Sequence, residues 1–429
     1  MRGHAQSIGW FYIACSQLKM LEVGNVRRFL LVGLVILSLM LSAVGCQTTP
    51  APQTGAPTKP AQGEPYRIGV TAALTGPFAD TYAPVYEAIN VYFQQLNEQG
   101  GINGHPVQIL VEDDAADATK ATSNATKLVQ QEKVALLTAA TLSATYGSIM
   151  NISRSAGTPV LIASVCPTQA YPPADPLVFC PASFGALYDG TAAIRFIKET
   201  AKEPVKLALV GIESPIVRTN FDHVTKIASE SGIQVVTRQL MPPTATDFTP
   251  FATQVQQAGA NWVFAWSPWS SQIGPFDALQ KLGWKGDYLL WAHQPADEEL
   301  SRRKVDALYA IAGNALFAEE LPVHKQIRAA AQKYKTSYPV EYMAEGWVTA
   351  QVLEQTLRNA GWPGGAKAMQ AALAKLSVDT QGLRGGPLVF TADNHFRTKA
   401  WYKFYRWNSQ QNKIVTARDW VGIDVVPSK

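Results

Sequence analysis

The apolar positions of the chain follow two alternating periods. Residues 68–74 form a largely apolar run that breaks at a Thr-Gly-Pro turn, as a buried strand does. In the next segment Val85, Ile89 and Phe93 recur at helical spacing, and the segment ends at a Gly-Gly pair that suits a left-handed helix cap. Residues 107–111 form a second apolar run. Strand, helix and strand in this order predict the right-handed crossover unit of a parallel α/β domain.

The same alternation continues along the chain and predicts further strands and helices. Predicted strands cover residues 133–137, 160–163, 207–210, 234–237, 262–266 and 288–291. Predicted helices cover residues 115–132, 220–231, 247–257, 272–282, 323–337 and 342–360. Residues 399–407 and 413–420 alternate apolar and polar side chains, which is typical of half-exposed antiparallel strands. We therefore predict an α/β protein with two doubly wound lobes.

Length and charge agree with two lobes and limit the classes of partner. The chain has 429 residues, of which 47% are hydrophobic and 16% charged. This is enough for two cores, since single domains usually hold about 100–200 residues. Most of the formal net charge of +4 lies before Cys46, so the remainder carries only about +1. A nearly neutral chain argues against a nucleic-acid surface.

The N-terminal segment has the pattern of an export signal. Two arginines precede an apolar run at residues 29–40, and small residues follow up to Cys46. We predict that residues 1–45 are a signal peptide, with Met20 as a possible true start. The segment resembles a bacterial lipobox, which would make Cys46 the lipid-modified first residue. The alternative is an uncleaved anchor, although the run is shorter than the ~20 residues that span a bilayer.

The residues after Cys46 predict a tether rather than a folded element. Residues 46–66 are mostly Thr, Pro, Ala, Gln and Gly, with almost no large apolar side chain to bury. An acylated cysteine followed by such a spacer holds a soluble domain near a membrane. We therefore predict an extracytoplasmic protein that is lipid-anchored to the cell membrane.

The four cysteines divide into two classes. Cys15 lies in the leader and Cys46 in the lipobox, which leaves Cys166 and Cys180 for the exported domain. Because disulfides persist outside the cytoplasm, we predict a Cys166–Cys180 bond. Two buried free thiols are the alternative.

Several motifs in the first predicted unit resemble a known family. They are Leu-Thr-Gly-Pro at residues 74–77, Asn90 and Asn97 on the helix, Gly-Gly-Ile-Asn-Gly at residues 100–104, and Asp113 with Asp114. The pattern resembles the leucine/isoleucine/valine-binding family of type I periplasmic solute-binding proteins. This resemblance implies two Rossmann-like lobes joined by a three-strand hinge. It also implies a monomer that binds a small molecule and delivers it to ABC permease subunits with a cytoplasmic ATPase.

The resemblance also places the lobes along the chain. Lobe 1 is predicted at residues 67–183 and 318–384, and lobe 2 at residues 184–317 and 385–429. The three crossings then fall near residues 179–183, 311–317 and 382–390.

The family motif places part of a ligand site at the end of the third strand. A helix begins there, and its first residues offer the hydroxyl of Ser143 and the backbone N–H groups of Ala144 and Thr145. A helix N-terminus can hold a carboxylate without a basic side chain. The alternative is ordinary N-capping by Ser143 or Thr145.

After the fourth strand, the resemblance assigns a backbone carbonyl to Ser164 and a threonine hydroxyl to the position of Cys166. Thr168, two residues on, is the candidate that could supply that hydroxyl from a shifted loop. Phe78 and Tyr82, after the first strand, are candidates for closing the pocket. The alternative for both rings is simple core packing.

On the second lobe the family's ammonium-binding acid is absent. Its position falls at residues 292–294, Ala-His-Gln, and Gln294 is our candidate there. A buried ammonium without a partner costs several kcal/mol. The same strand ends carry three tryptophans, Trp266, Trp269 and Trp291. Core packing is their alternative role. Trp269, which lies in a predicted loop, is our candidate for contact with a ligand. We expect a branched-chain or hydrophobic amino acid, an aromatic acid or an amide.

The chain offers little that favours catalysis. No nucleophile–base pair or glycine-rich phosphate loop is evident, and the six histidines show no metal-ligand spacing. We therefore predict no catalytic residues, no metal and no cofactor. The predicted function is a substrate-binding lipoprotein of an ABC importer. An extracytoplasmic sensing domain that reports to a signalling partner is the alternative.

Overall fold

Two β-sheets with helices on both faces organise the protein. The computed structural model describes residues 61–292 and 296–426. The predicted signal peptide, Cys15, Cys46, Gln294 and most of the predicted tether lie outside the described residues. The predicted α/β architecture of two lobes is confirmed.

The first sheet is parallel and has the strand order β2-β1-β3-β4-β6. Its strands are β1 Tyr66–Ala72, β2 Val107–Asp113, β3 Leu136–Ala140, β4 Val160–Ile162 and β6 Val178–Phe179. Alternate residues face different cores, so Leu136 packs with helices on one face while Leu137 packs on the other. Both faces are therefore buried, as in other doubly wound sheets.

Helices from two distant parts of the chain cover the first sheet. They are α1 Ala79–Glu98, α2 Ala118–Thr126 with a π-helical turn at Lys127–Gln131, α3 Tyr146–Ala156, and later in the chain α9 Pro322–Tyr334, α10 Ala344–Ala360 and α11 Ala366–Leu373. The three late helices share a hydrophobic core with α1 and β1. The chain therefore returns to the first lobe after building the second.

The second sheet repeats the same winding. Its order is β16-β15-β12-β11-β10-β8-β9, in which β9, β8, β10, β11 and β12 are parallel and the last two strands antiparallel. The strands are β8 Lys206–Ile212, β9 Gln234–Met241, β10 Trp262–Ala265, β11 Asp287–Trp291, β12 Leu308–Ala312, β15 Lys399–Asn408 and β16 Lys413–Asp424. The covering helices are α4 Ala186–Thr200, α5 Pro215–Glu230, α6 Thr249–Gln257, α7 Ser270–Lys281 and α8 Ala296–Arg303.

Two short sheets lie where the chain passes between lobes. Strand β5 Val165–Cys166 pairs in parallel with β7 Phe184–Gly185, and β13 Ser377–Val378 pairs antiparallel with β14 Leu388–Val389. The chain leaves the first sheet after β6, returns after β12 to the helices that cover that sheet, and joins the second sheet again at β15. The residue limits of the lobes stay a prediction.

Several elements differ from those expected. The third strand is Leu136–Ala140 rather than residues 133–137, because Lys133 has a positive φ of 53° and the small residues up to Ala140 pair with β1. Ile311 and Ala312 lie within β12 rather than in a crossing. Helices α4 and α11 were not expected. Gly190 within α4 lowers its helix propensity, but a Cβ there would lie 2.5 Å from Val224 Cγ2, so the close packing requires glycine.

Cys166 and Cys180 form a disulfide, as predicted. It links β5 to the residue that follows β6, beside the first passage between lobes. Within residues 61–292 and 296–426, no helix combines the length and apolar character needed to cross a bilayer.

Candidate functional site

The carboxyl ends of both sheets face one cavity. It measures about 340 Å³, including the part open to solvent. The lining residues are Tyr82, Leu142, Ser143, Ser164, Val165, Ile212, Ser214, Ile216, Val217, Trp266, Ser267, Pro268 and Trp291. Those up to Val165 belong to the first lobe and the others to the second. Ligands of open α/β sheets bind at this edge, so this cavity, the interlobe cleft, is the candidate site.

A wider outer region continues from the cleft toward solvent. It measures about 660 Å³ and shares Ser143 and Ile216 with the cleft. Its other lining residues are Tyr146, Gly147, Met150, Pro167, Thr168, Gln169, Pro215 and Thr219. The cleft itself is narrow, and most of the space lies in the outer region.

The first-lobe wall presents hydroxyl groups. Buried Ser164 donates its hydroxyl hydrogen to the Thr141 carbonyl oxygen at 3.0 Å and also bonds the Tyr146 hydroxyl. Burial raises the pKa of Tyr146 to about 12, so its phenol stays protonated. Half-buried Ser143 begins the 3₁₀ turn Ser143–Thr145 that leads into α3. This wall can therefore donate and accept hydrogen bonds without carrying charge.

Behind this wall lies a buried carboxyl. Asp114 accepts hydrogen bonds from Thr71 Oγ1 at 2.8 Å and from Thr141 Oγ1 at 2.7 Å. Burial raises its pKa, although the two threonine hydrogen bonds act in the opposite direction. Because both threonines lie in its immediate shell and Asp114 itself does not line the cleft, this acid braces the strand ends rather than facing a ligand.

The second-lobe wall presents two stacked indoles. The ring centroids of Trp266 and Trp291 lie 5.2 Å apart with an interplanar angle of 29°. The Phe184 ring meets Trp291 edge-on at 4.6 Å. Gln272 donates its side-chain amide to the Ser267 and Trp291 carbonyls at 2.6 and 3.0 Å and accepts from the Trp291 backbone N–H at 2.7 Å. These bonds hold the ends of β10 and β11 together.

No charged side chain lines the cleft or its outer region among the residues that the structure describes. The lining consists of aromatic rings, aliphatic side chains, hydroxyls and backbone groups. Such a surface fits an apolar body with a small polar end. Within the same described residues, no group of three or more His, Cys, Asp or Glu side chains could hold a metal ion.

Four residues named from the sequence lie at the site. Ser143, Ser164 and Tyr82 line the cleft, and exposed Thr168 lines the outer region. Their contact with a ligand stays a prediction.

The other named residues lie elsewhere. Phe78 is buried in the core beside Tyr82, and Trp269 packs on the outer core of the second sheet. Ala144 is exposed, and Thr145 donates its hydroxyl hydrogen to the Leu142 carbonyl at 2.9 Å, within its own turn. Neither Ala144 nor Thr145 lines the cleft.

Sequence reasoning missed Ser214 and Ile216 and placed Trp266 and Trp291 as readily in the core. Ser214 caps α5 by accepting a bond from the Val217 N–H at 3.4 Å. The signal was present, since Ser followed by Pro is typical of a helix start. The predicted helix began five residues too late to use it.

Comparisons with known proteins agree with this geometry. A family model described as periplasmic binding protein matches residues 65–412. The Leu/Ile/Val-binding protein homolog 7 of Brucella abortus is 21% identical over 371 residues, covering 82% of this chain and 90% of that protein.

Two solved structures share the fold. A branched-chain amino acid ABC transporter structure from Thermus thermophilus with bound valine has a TM-score of 0.71 at 19% identity, covering 86% of this chain and 97% of that one. A solute-binding protein of an ABC transporter from Rhodopseudomonas palustris, in complex with 4-hydroxybenzoate, has a TM-score of 0.71 at 15% identity, covering 85% and 98%.

Proposed function

This chain belongs to the periplasmic binding protein family, and we propose that it is the solute-binding protein of an ABC importer. It captures a small organic solute between its lobes and presents it to permease subunits that a cytoplasmic ATPase drives. A solute that touches both lobes binds the closed arrangement better than the open one and so stabilises it. The permease then recognises the closed form.

The observation that carries this proposal is the composition of the cleft. Both lobes contribute to its lining, and among the described residues this lining holds rings and hydroxyls but no charge. A ligand ammonium would lose its hydration there without gaining a carboxylate, at a cost of several kcal/mol. A ligand carboxylate or amide finds the hydroxyl of Ser143, which lines both the cleft and the outer region.

The proposed ligands are therefore aromatic or aliphatic acids and amides, ahead of branched-chain or hydrophobic amino acids. The similar structures hold both chemistries, with valine in one and 4-hydroxybenzoate in the other. The stacked Trp266 and Trp291 rings favour a flat apolar body.

Calorimetric titration with 4-hydroxybenzoate, benzamide, isobutyrate, valine and leucine tests this ranking. We expect heat from the acids or amides and weaker or no heat from the amino acids. Ser143→Ala should weaken binding by about tenfold through the loss of a polar contact. Trp284→Phe is the control, since that buried indole bonds the Ala260 carbonyl at the opposite end of the second sheet. Binding of the amino acids alone would overturn the proposed ligand class. The absence of binding heat for all five compounds would count against the importer role.

We further propose anchoring through a lipid on Cys46, which lies outside the described residues. Cells fed labelled palmitate should label the wild type and not Cys46→Ala, and the variant should leave the membrane fraction. Uptake of a labelled ligand that depends on this protein would separate import from a sensing role.

A further inference from the structure

A buried carboxyl lies directly behind the aromatic wall of the cleft. Asp189, in the first turn of α4, is fully buried. Its Oδ2 accepts a hydrogen bond from the Trp266 indole N–H at 2.8 Å. Its Oδ1 accepts from the Tyr402 hydroxyl at 2.7 Å and from the Gly185 backbone N–H at 2.9 Å. None of the atoms of Asp189 lines the cleft, but Trp266 does.

The indole bond determines how the Trp266 ring sits in the wall. Stacking on Trp291 restrains the tilt of the Trp266 ring. It does not determine which edge of the ring points into the cleft, because stacking depends only weakly on rotation of the ring within its own plane. A hydrogen bond from Nε1–H to a buried acceptor selects one of the possible ring orientations, since leaving that N–H unpaired would cost free energy. Asp189 therefore fixes the edge of the ring that faces the cleft.

The same carboxyl also reaches the support of the opposite wall. Gly185, which donates to Asp189, pairs in the β5–β7 ladder with Cys166. Val165, the neighbouring residue of β5, lines the cleft from the first lobe. Asp189 thus connects the Trp266 ring of the second-lobe wall with the backbone behind the first-lobe wall, at the place where the chain first passes between lobes.

Stability alone does not account for an acid at this position. A buried charged group is a weak contributor to stability, and an apolar side chain of similar size often does as well. Burial raises the pKa of Asp189 to about 7 even though three donors and the nearby Arg397 favour its ionised form. The free-energy cost of burying the Asp189 carboxyl is therefore opposed by hydrogen bonds from three specific donors.

We propose that Asp189 is a positioning residue, which holds the Trp266 indole in the cleft wall and thereby sets the shape of solute that the cleft accepts. The part of this inference that concerns solute choice rests on the proposed function. The part that concerns the indole does not.

Nuclear magnetic resonance of the indole N–H groups tests the inference without a ligand. The Trp266 signal is assigned by its loss in Trp266→Phe. In Asp189→Asn the side-chain NH2 group must face one of the donors that bond the carboxyl in the wild type. We therefore expect the Trp266 signal to shift and its hydrogen exchange to rise at least about tenfold. The Trp284 signal in the same spectrum should stay unchanged. Tyr402→Phe, which removes another donor to Asp189 without touching the cleft, should give a smaller shift of the same signal and remains informative if Asp189→Asn does not fold.

Titration with 4-hydroxybenzoate and isobutyrate tests solute choice. Asp189→Asn should weaken the binding of 4-hydroxybenzoate about tenfold more than the binding of isobutyrate, whereas a general loss of structure would weaken the binding of both alike. Asp287→Asn is the matched control, because that half-buried acid lies opposite Trp262 at the amino end of the sheet.

The outcomes separate the two proposals. An unchanged, protected Trp266 signal in both Asp189→Asn and Tyr402→Phe would overturn the positioning role, and so would equal weakening of both compounds by Asp189→Asn. A shifted signal with no binding by the wild type would support positioning of the indole and reject the proposed function instead.

Discussion

Two buried acids lie behind the cleft walls, one in each lobe. Hydrogen bonds from neighbouring groups, rather than a cation at the cleft surface, hold each carboxyl. Asp114 is held by two threonine hydroxyls and Asp189 by an indole, a phenol and a backbone N–H. In each case burial raises the carboxyl pKa. At the scale of single residues, the cleft is therefore shaped by buried polar groups that a ligand need not touch.

The raised pKa of Asp189 predicts a pH dependence of stability. A carboxyl with a pKa of about 7 when folded and about 3.9 when unfolded binds a proton more tightly in the folded state. Its contribution to the free energy of unfolding is thus fully present below about pH 4, falls as pH rises through 7, and is constant above. The groups around it that carry charge or titrate are Tyr402, Tyr171 and Arg397.

Urea unfolding of wild type and Asp189→Asn between pH 5 and 8 measures this effect. The amide does not titrate, so the stability of the wild type minus that of the variant should decrease with rising pH. A difference that is flat, or that increases, over this range would show that Asp189 does not take up a proton near neutrality.

At the scale of elements, the first lobe depends on a close contact between helices from distant parts of the chain. Helix α10 crosses α1 where Gly346 meets the backbone of Val85. A Cβ at Gly346 would lie 2.2 Å from the Val85 carbonyl oxygen and 2.8 Å from the Ala88 Cβ. Both distances are too short for real contacts, so the helices would have to separate.

Gly346→Ala should therefore lower the free energy of unfolding by about 1–3 kcal/mol, the usual cost of overpacking. Gly147→Ala in α3 is the matched control, because no atom lies within 4 Å of its added Cβ. It should be neutral or raise stability by up to about 1 kcal/mol through lower chain entropy in the unfolded state. Denaturant unfolding of both variants measures the contrast. Equal stability of the two would contradict the close helix contact.

At the scale of the whole molecule, one carboxylate contacts all three passages between lobes. Glu345 on α10 accepts bonds from the Ser183 backbone N–H at 2.6 Å and hydroxyl at 2.7 Å, and from Asn314 Nδ2 at 2.5 Å. It also pairs with Arg384 at 3.2 Å, and both side chains are at most 3% exposed. Ser183, Asn314 and Arg384 lie on the first, second and third passage. This cluster therefore links the three passages to one another.

Glu345→Gln should cost about 3–5 kcal/mol, since it leaves Arg384 buried without a counter-charge. Combining it with Arg384→Met should cost less than the sum of the single changes, because the unpaired charge is removed. Thermal or denaturant unfolding of the two single variants and the double variant measures the coupling. Strict additivity would mean that the two side chains act independently.

How much of this structure was accessible from the sequence depends on how local the signal is. The alternation of strands and helices, the terminal antiparallel strands and the Cys166–Cys180 pair were predicted because periodicity and composition act over a few residues. Strand β12 and helix α4 were not, because their assignment depends on neighbours far along the chain, such as β11 and β15 on either side of β12.

The sequence by itself determined a two-lobed α/β protein, and it placed Ser143 and Ser164 at strand ends that do form the cleft. Only the tertiary structure decided that Trp266 rather than Trp269 faces the other lobe, and that Ser214 lines the cleft opposite. The physical reason is that an apolar ring is buried equally well by a core or by a cleft wall. Which of the two surrounds it depends on how two sheets, built from distant segments, are set against each other.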